Sequence, residues 1–145
     1  PFGSDERQYN SIGLNIPVGN LMRTPYHEYD EYHTSHDNLD LLSISAVKET
    51  VDKYIDIIKL NELNSKYIMQ INEGEPFLSK HGKLYYSNDH RRPSDITKIV
   101  KWLIHYCDGK HDLLDIADLS KCKIEDLRNV AQRLAQVGLL VETIE

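Results

Sequence analysis

Between residues 94 and 141 the apolar positions follow a helical rhythm that the first forty residues lack. Ile96, Ile99, Val100, Leu103 and Cys107 recur at three- and four-residue steps, which places them on one face of a helix that Ser94 can cap and Asp108-Gly109 can stop. Leu113 to Leu119 reads as a short second helix and Ser120 to Lys123 as a turn. Ile124, Leu127, Val130, Ala131, Leu134 and Val137 form the inward stripe of a third helix ending at Gly138, and Leu139-Leu140-Val141 reads as a strand.

Helix, helix, turn, helix and strand in that order predict a winged helix-turn-helix from Ser94 to Val141. Leu84 to Tyr86 or the chain end would supply its strand pairing. Upstream, Val47, Val51, Tyr54, Ile55 and Ile58 repeat at helical spacing behind Ser45, a candidate N-cap, with Glu49 and Lys53 spaced for an i, i+4 pair. Residues 65–92 read as a connector with strand character: Tyr67, Met69 and Ile71 alternate before Gly74-Glu75-Pro76 breaks the run. Lys83-Leu84-Tyr85-Tyr86-Ser87 is a second candidate strand, and the stretch from Asp89 to Pro93 is the expected hinge. The first forty residues, rich in Gly, Pro, Asn, Asp and Tyr, predict loops with at most a short strand around Ile16 to Met22.

Composition narrows the function classes. Apolar stretches are only a few residues long and broken by charges, far short of the roughly 20 residues that span a bilayer, so no membrane partner is expected. Cys107 and Cys122 lie fifteen positions apart and form neither a Cys-x-x-Cys pair nor a disulfide framework, which suits a reducing, cytoplasmic setting. Residues 93–145 carry nine acidic against seven Lys and Arg side chains, and the predicted third helix opens with Glu125 and Asp126 where phosphate contacts want Lys or Arg. Nucleic acid is therefore an unfavoured partner. A protein surface, including a second copy in a homo-oligomer, suits this tail better.

The chemistry-bearing residues cluster at the other end. Gly3-Ser4-Asp5-Glu6-Arg7-Gln8-Tyr9 is followed by Pro17-Val18-Gly19-Asn20-Leu21-Met22-Arg23-Thr24-Pro25-Tyr26, and then by Glu31-Tyr32-His33-Thr34-Ser35-His36-Asp37-Asn38-Leu39-Asp40. This wording resembles the C-terminal metal-ligand segment of two-metal zinc aminopeptidases of the M28-like type. It is closest to an uncharacterised aminopeptidase-like branch that ends in a winged helix.

The resemblance implies an α+β fragment: residues 1–64 as the C-terminal piece of an α/β zinc-exopeptidase-like domain, with active-site loops and its closing helix, 65–92 as linker, and 93–145 as winged helix. It implies His33 as a terminal zinc ligand and Tyr32 as a donor to the oxygen that becomes negative when a carbonyl is attacked. Asp37 would orient the ligand or its loop, and Asp5 lies in the rim loop. Arg23 could bind a substrate carboxylate, though a structural ion pair suits it as well. Each of these residues also has a plain surface or loop-capping role open to it. Glu6 stands where a His is common in the resembled family, which puts any role of that His in doubt.

A two-zinc site needs a second His, a bridging Asp, further carboxylate ligands and a Glu base. The resemblance places these before Gly3. The expectation is thus a C-terminal part of a longer hydrolase of peptide or related amide bonds, with a peptide-like substrate and the N-terminal part of the domain as partners. One or two zinc ions would serve the intact protein and little or none the fragment, which alone would be inactive. A DNA-binding regulator and a catalytically dead adaptor are the alternatives.

Overall fold

The computed structural model describes residues 3–81 and 95–143, and it falls into two compact units, residues 1–53 and 54–145. The expected strand from Lys83 to Ser87, the hinge and the Ser94 cap lie outside the described residues.

In the first unit, helix α1 (Ser4–Tyr9) is followed by loops as far as a 3-10 turn at Leu39–Leu41, and helix α2 (Ile44–Leu63) begins there and ends in the second unit. α1 was not expected in this Gly-Ser-Asp segment. It is held at its end by Asn10, whose side-chain amide donates to Glu6 O at 2.8 Å and Val18 O at 2.9 Å. No strand forms from Ile16 to Met22; the chain there is irregular.

α2 starts one residue before the expected cap, and Ser43 rather than Ser45 occupies its N-terminal edge, with Ala46 N donating to Ser43 Oγ at 3.4 Å. Its i, i+4 pair is Lys48–Asp52 at 3.1 Å, because Glu49 is taken by Arg23. None of its twenty residues is buried, and Val47, Val51 and Ile58 remain more than half exposed.

The second unit packs three helices on a three-stranded antiparallel sheet of order β2-β1-β3. β1 is Lys66–Met69, β2 Asp108–Asp112 and β3 Leu140–Thr143. Helices α3 (Asp95–Tyr106), α4 (Leu113–Ser120) and α5 (Ile124–Gln136) close the core. The helical stripes are buried as their spacing predicts except at Ile96, which stays 37% exposed: Ile99, Val100 and Leu103, then Leu127, Val130 and Leu134, are buried to 5% exposure or less. The turn between α4 and α5 is real, with Lys121 in the left-handed region at φ 57.

Two strands depart from expectation. β1, read as part of a connector, is the middle strand, pairing Met69 with Leu140 and Lys66 with both Thr143 and Asp112. β2 contains no apolar side chain, so no alternation announced it. It forms where Gly109, at φ 78, passes so close to Ile68 that a β-carbon there would sit 2.8 Å from Ile68 Cγ1.

The end of α2, from Tyr54 on, belongs to this unit. Asp112 caps α4 in a reciprocal capping box with Asp115, at 2.9 and 3.1 Å, and its other oxygen accepts from Asn64 Nδ2 at 2.9 Å. Asn64 Oδ1 in turn accepts from Leu114 N at 3.1 Å. Arg128 of α5 donates to Leu63 O at 2.9 Å and Ser65 Oγ at 2.6 Å.

Candidate active site

Gly3, Ser4 and Glu6 at the start of the chain, the Val18 to Met22 strip, Pro25 to His27, and Tyr32 with His33 border one concavity of ≈ 860 Å³ within the first unit. That is the size range of small-ligand sites. The three sequence stretches singled out above meet here.

Tyr32 is the hub. Its ring stacks on His33 at 4.1 Å and meets the rings of His27 at 4.8 Å, Tyr26 at 5.5 Å and Tyr29 at 5.6 Å. Tilted and edge-on contacts of this kind are favourable for aromatic rings. Turn hydrogen bonds set the loop: Tyr32 N donates to Tyr29 O at 3.3 Å, and Thr34 donates to Glu31 O through its amide at 3.0 Å and its hydroxyl at 2.8 Å. Asn20 Nδ2 donates to the Tyr26 hydroxyl at 2.8 Å and so closes the second stretch on itself.

His33 and His27 hold φ values of 59 and 68, a conformation uncommon for residues with a β-carbon. His33 keeps an exposed imidazole. Tyr32 is half-buried.

Two expected residues lie elsewhere. Arg23 is in an exposed ion pair with Glu49 at 2.8 Å and also donates to Ala46 O at 3.1 Å, beside a different hollow that Glu49, Thr50 and Lys53 share. Its hydrogen bond, and then its charge, hold the Glu49 carboxyl below the usual range. Asp5 is exposed on α1 outside the concavity. Asp37 caps no ring nitrogen among the described hydrogen bonds; its amide donates to Thr34 O at 3.2 Å. Desolvation, and next the Asp37 carboxylate, push the Tyr29 phenol up.

Among the described residues no three His, Cys, Asp or Glu side chains converge as a metal site. His27, His33 and His36 therefore do not form one. Sequence reasoning passed over Asn20, Tyr26 and His27 as wall residues. Only the density of Tyr and His between residues 26 and 36 hinted at their clustering.

Similarity to known proteins now bears on both units. Residues 65–142 match a family described as winged helix-turn-helix. The chain belongs to that family. The winged-helix match begins at residue 65, so it takes in β1, the strand that sequence had left in the connector. Residues 1–64 match a domain of unknown function (DUF4910).

The chain is also 37% identical over 143 residues to a Clostridium acetobutylicum protein named "Putative polysaccharide biosynthesis protein with aminopeptidase-like domain", covering 97% of this chain and 32% of that protein. A crystal structure of a "putative peptidase" from the same species superposes with a TM-score of 0.67 at 34% identity, over 99% of this chain and 31% of that one. The chain thus spans about a third of the length of the relatives it matches.

Proposed function

We propose that this winged-helix chain is the C-terminal part of an aminopeptidase-like hydrolase that cleaves peptide or related amide bonds, with the concavity around Tyr32 and His33 as its share of the active site. The observation that carries the reading is the convergence of the Gly-Ser-Asp, Asn-Leu-Met and Tyr-His-Thr stretches on one hollow. The identity to a protein with an aminopeptidase-like domain supports it.

In this reading Tyr32 donates its phenolic hydrogen to the oxygen that gains charge when a carbonyl is attacked, a contribution of about 3 to 4 kcal/mol for a preorganised donor. Stacking holds the phenol in place beside His33. Asp37 and Asp5 keep loop-orienting roles. Arg23, bound to Glu49, positions the second stretch against α2 and no longer suits substrate binding.

Zinc would supply an activated water and polarise the carbonyl. His33 alone does not fit a whole zinc site, so the other donors must come from outside this chain. By itself the chain should neither hydrolyse amides nor bind zinc tightly. The exposed apolar side of α2 is the proposed seat of the rest of the peptidase domain.

The test is an aminoacyl-amide hydrolysis assay on the full-length protein. His33→Ala is expected to lower kcat/KM by about a hundredfold or more, in the range lost when a metal-site or oxyanion contact is removed. Because the imidazole is exposed, the variant should still fold, with a small loss of thermal stability from the missing stack on Tyr32. An unchanged rate in a folded variant refutes the assignment.

The winged helix we assign to protein contact. Arg128, the best-placed cation on α5, is spent on Leu63 and Ser65, and Lys121 is paired with Asp118 at 2.7 Å.

A further inference from the structure

Helix α3 turns its inner stripe to the core and keeps a second face of a different character. Lys98, Lys101, Trp102, His105 and Tyr106 follow one another at helical spacing and line a hollow of ≈ 340 Å³ in the second unit. The rings there are ordered by the fold itself. Trp102 and Tyr106 pack against the core, stack on each other at 5.1 Å, and pass the contact on to His111, which meets Tyr106 edge-on at 5.3 Å. Both are only half-buried, so aromatic surface is left to the hollow. His105 is oriented as well: its Nδ1 donates to Lys101 O at 2.8 Å, which leaves Nε2 to accept from a ligand hydroxyl.

The charge of this face runs against the acidic balance of the chain. Lys98 and Lys101 are exposed and enter no ion pair among the described residues, and no acid stands between Asp95 and Asp108 in the sequence. Asp95 opens the helix without pairing with Lys98. Asp108 is engaged by the His111 ring and by two amides, and Glu75 borders a different hollow that shares His105. Side chains three apart on a helix are about 5 to 6 Å apart at their β-carbons. Two ammonium groups so placed can close on one phosphate while the indole beside them takes a flat ring.

We propose that this hollow binds a nucleoside monophosphate, its base on Trp102 and Tyr106 and its phosphate between Lys98 and Lys101. An anion without a ring leaves the aromatic floor unused, and a ring without an anion leaves both ammonium groups unanswered. The hollow lies at the small end of ligand sites, which suits a free nucleotide better than a strand. α5 takes no part in it, and the site is independent of the hydrolase reading.

Calorimetric titration of the full-length protein with AMP, adenosine and ribose phosphate at about 150 mM salt tests it. AMP should bind at least about tenfold tighter than either of its halves. The double variant Lys98→Gln with Lys101→Gln changes two exposed side chains and should keep the fold. It should weaken AMP by about ten- to a hundredfold, the range of hydrogen bonds to charged groups, and leave adenosine as it was. Trp102→Ala should weaken AMP and adenosine alike by about five- to a hundredfold, the range lost with one stacked base. Trp102→Phe keeps a ring on the core and should recover most of that loss; melting curves confirm that the variants fold.

No AMP binding at millimolar concentration, AMP binding that survives the double lysine variant, or equal affinity for AMP and ribose phosphate overturns the site. A single-stranded oligonucleotide that binds more than about tenfold tighter than AMP, and loses that affinity in the double variant, overturns the free nucleotide as its occupant.

Discussion

His27 and His33 place left-handed backbone on two sides of one ring cluster. A β-carbon makes that conformation cost roughly 1 to 2 kcal/mol per residue, and the contacts of both rings with Tyr32, stacked for His33 and edge-on for His27, offset part of it. Residues further along show the same balance of local geometry and charge. Cys107 is buried and its thiol is pushed up to about 12, first by burial and then by Asp108, so it is an inert core group. Asp108 next to it accepts from the His111 amide at 3.0 Å, the Lys110 amide at 2.8 Å and the His111 ring at 3.1 Å. The amide of His111 first, then that of Lys110, hold its carboxyl well below the ordinary value of 3.8. A carboxyl depressed in the folded state gives stability that is present above the unfolded pKa and is lost as pH falls through the folded one. Asp108→Asn should therefore melt with a shallower acid limb than the native chain below about pH 4, and equal slopes in the two proteins would contradict this role.

Elements were legible in proportion to how much apolar side chain they bury. α3, α4 and α5 were readable because Leu103, Leu113, Ile116, Leu127 and Leu134 sit at helical spacing and are all 1% exposed or less. β1 was half-readable through Tyr67 and Met69, but its place in the middle of the sheet depends on distant partners, Asp108 and Asp112 on one side and Leu140 to Thr143 on the other. β2 was invisible, since Asp-Gly-Lys-His-Asp buries little and forms by pairing with β1. In the candidate site, Tyr32 and His33 stood out by motif, whereas the meeting of Tyr32 with the rings of Tyr26 and His27 is a loop closure that no periodicity encodes. Gly109 gives the element-scale test. Gly109→Ala combines a left-handed φ with overlap on Ile68, so it should cost about 2 to 4 kcal/mol in urea unfolding. Gly138→Ala has a similar φ of 75 and open space around it, and should cost only the conformational part, about 1 to 2 kcal/mol. Equal losses at the two positions would mean that the β1–β2 approach is not tight in solution.

At the scale of the molecule, a winged helix invites the inference that it reads DNA, and its charges argue otherwise. Fold alone does not decide function. α5, the helix such a domain would lay in the major groove, begins with exposed Glu125 and Asp126. Its Arg128 is half-buried against the end of α2, where it holds Leu63 and Ser65 and cannot reach a phosphate without giving up both bonds. Duplex binding draws most of its free energy from counterions released by Lys and Arg contacts, and residues 93–145 carry more acid than base. Fluorescence anisotropy with random duplexes at about 150 mM salt should therefore detect no complex tighter than about 1 µM, the upper end of non-specific affinity. Arg128→Ala, which removes a structural contact, should lower stability by about 1.5 to 3 kcal/mol and leave that absence of binding as it was. Tight binding that weakens steeply with added salt, and that Arg128→Ala abolishes in a folded protein, would return the winged helix to nucleic acid and detach it from the hydrolase altogether.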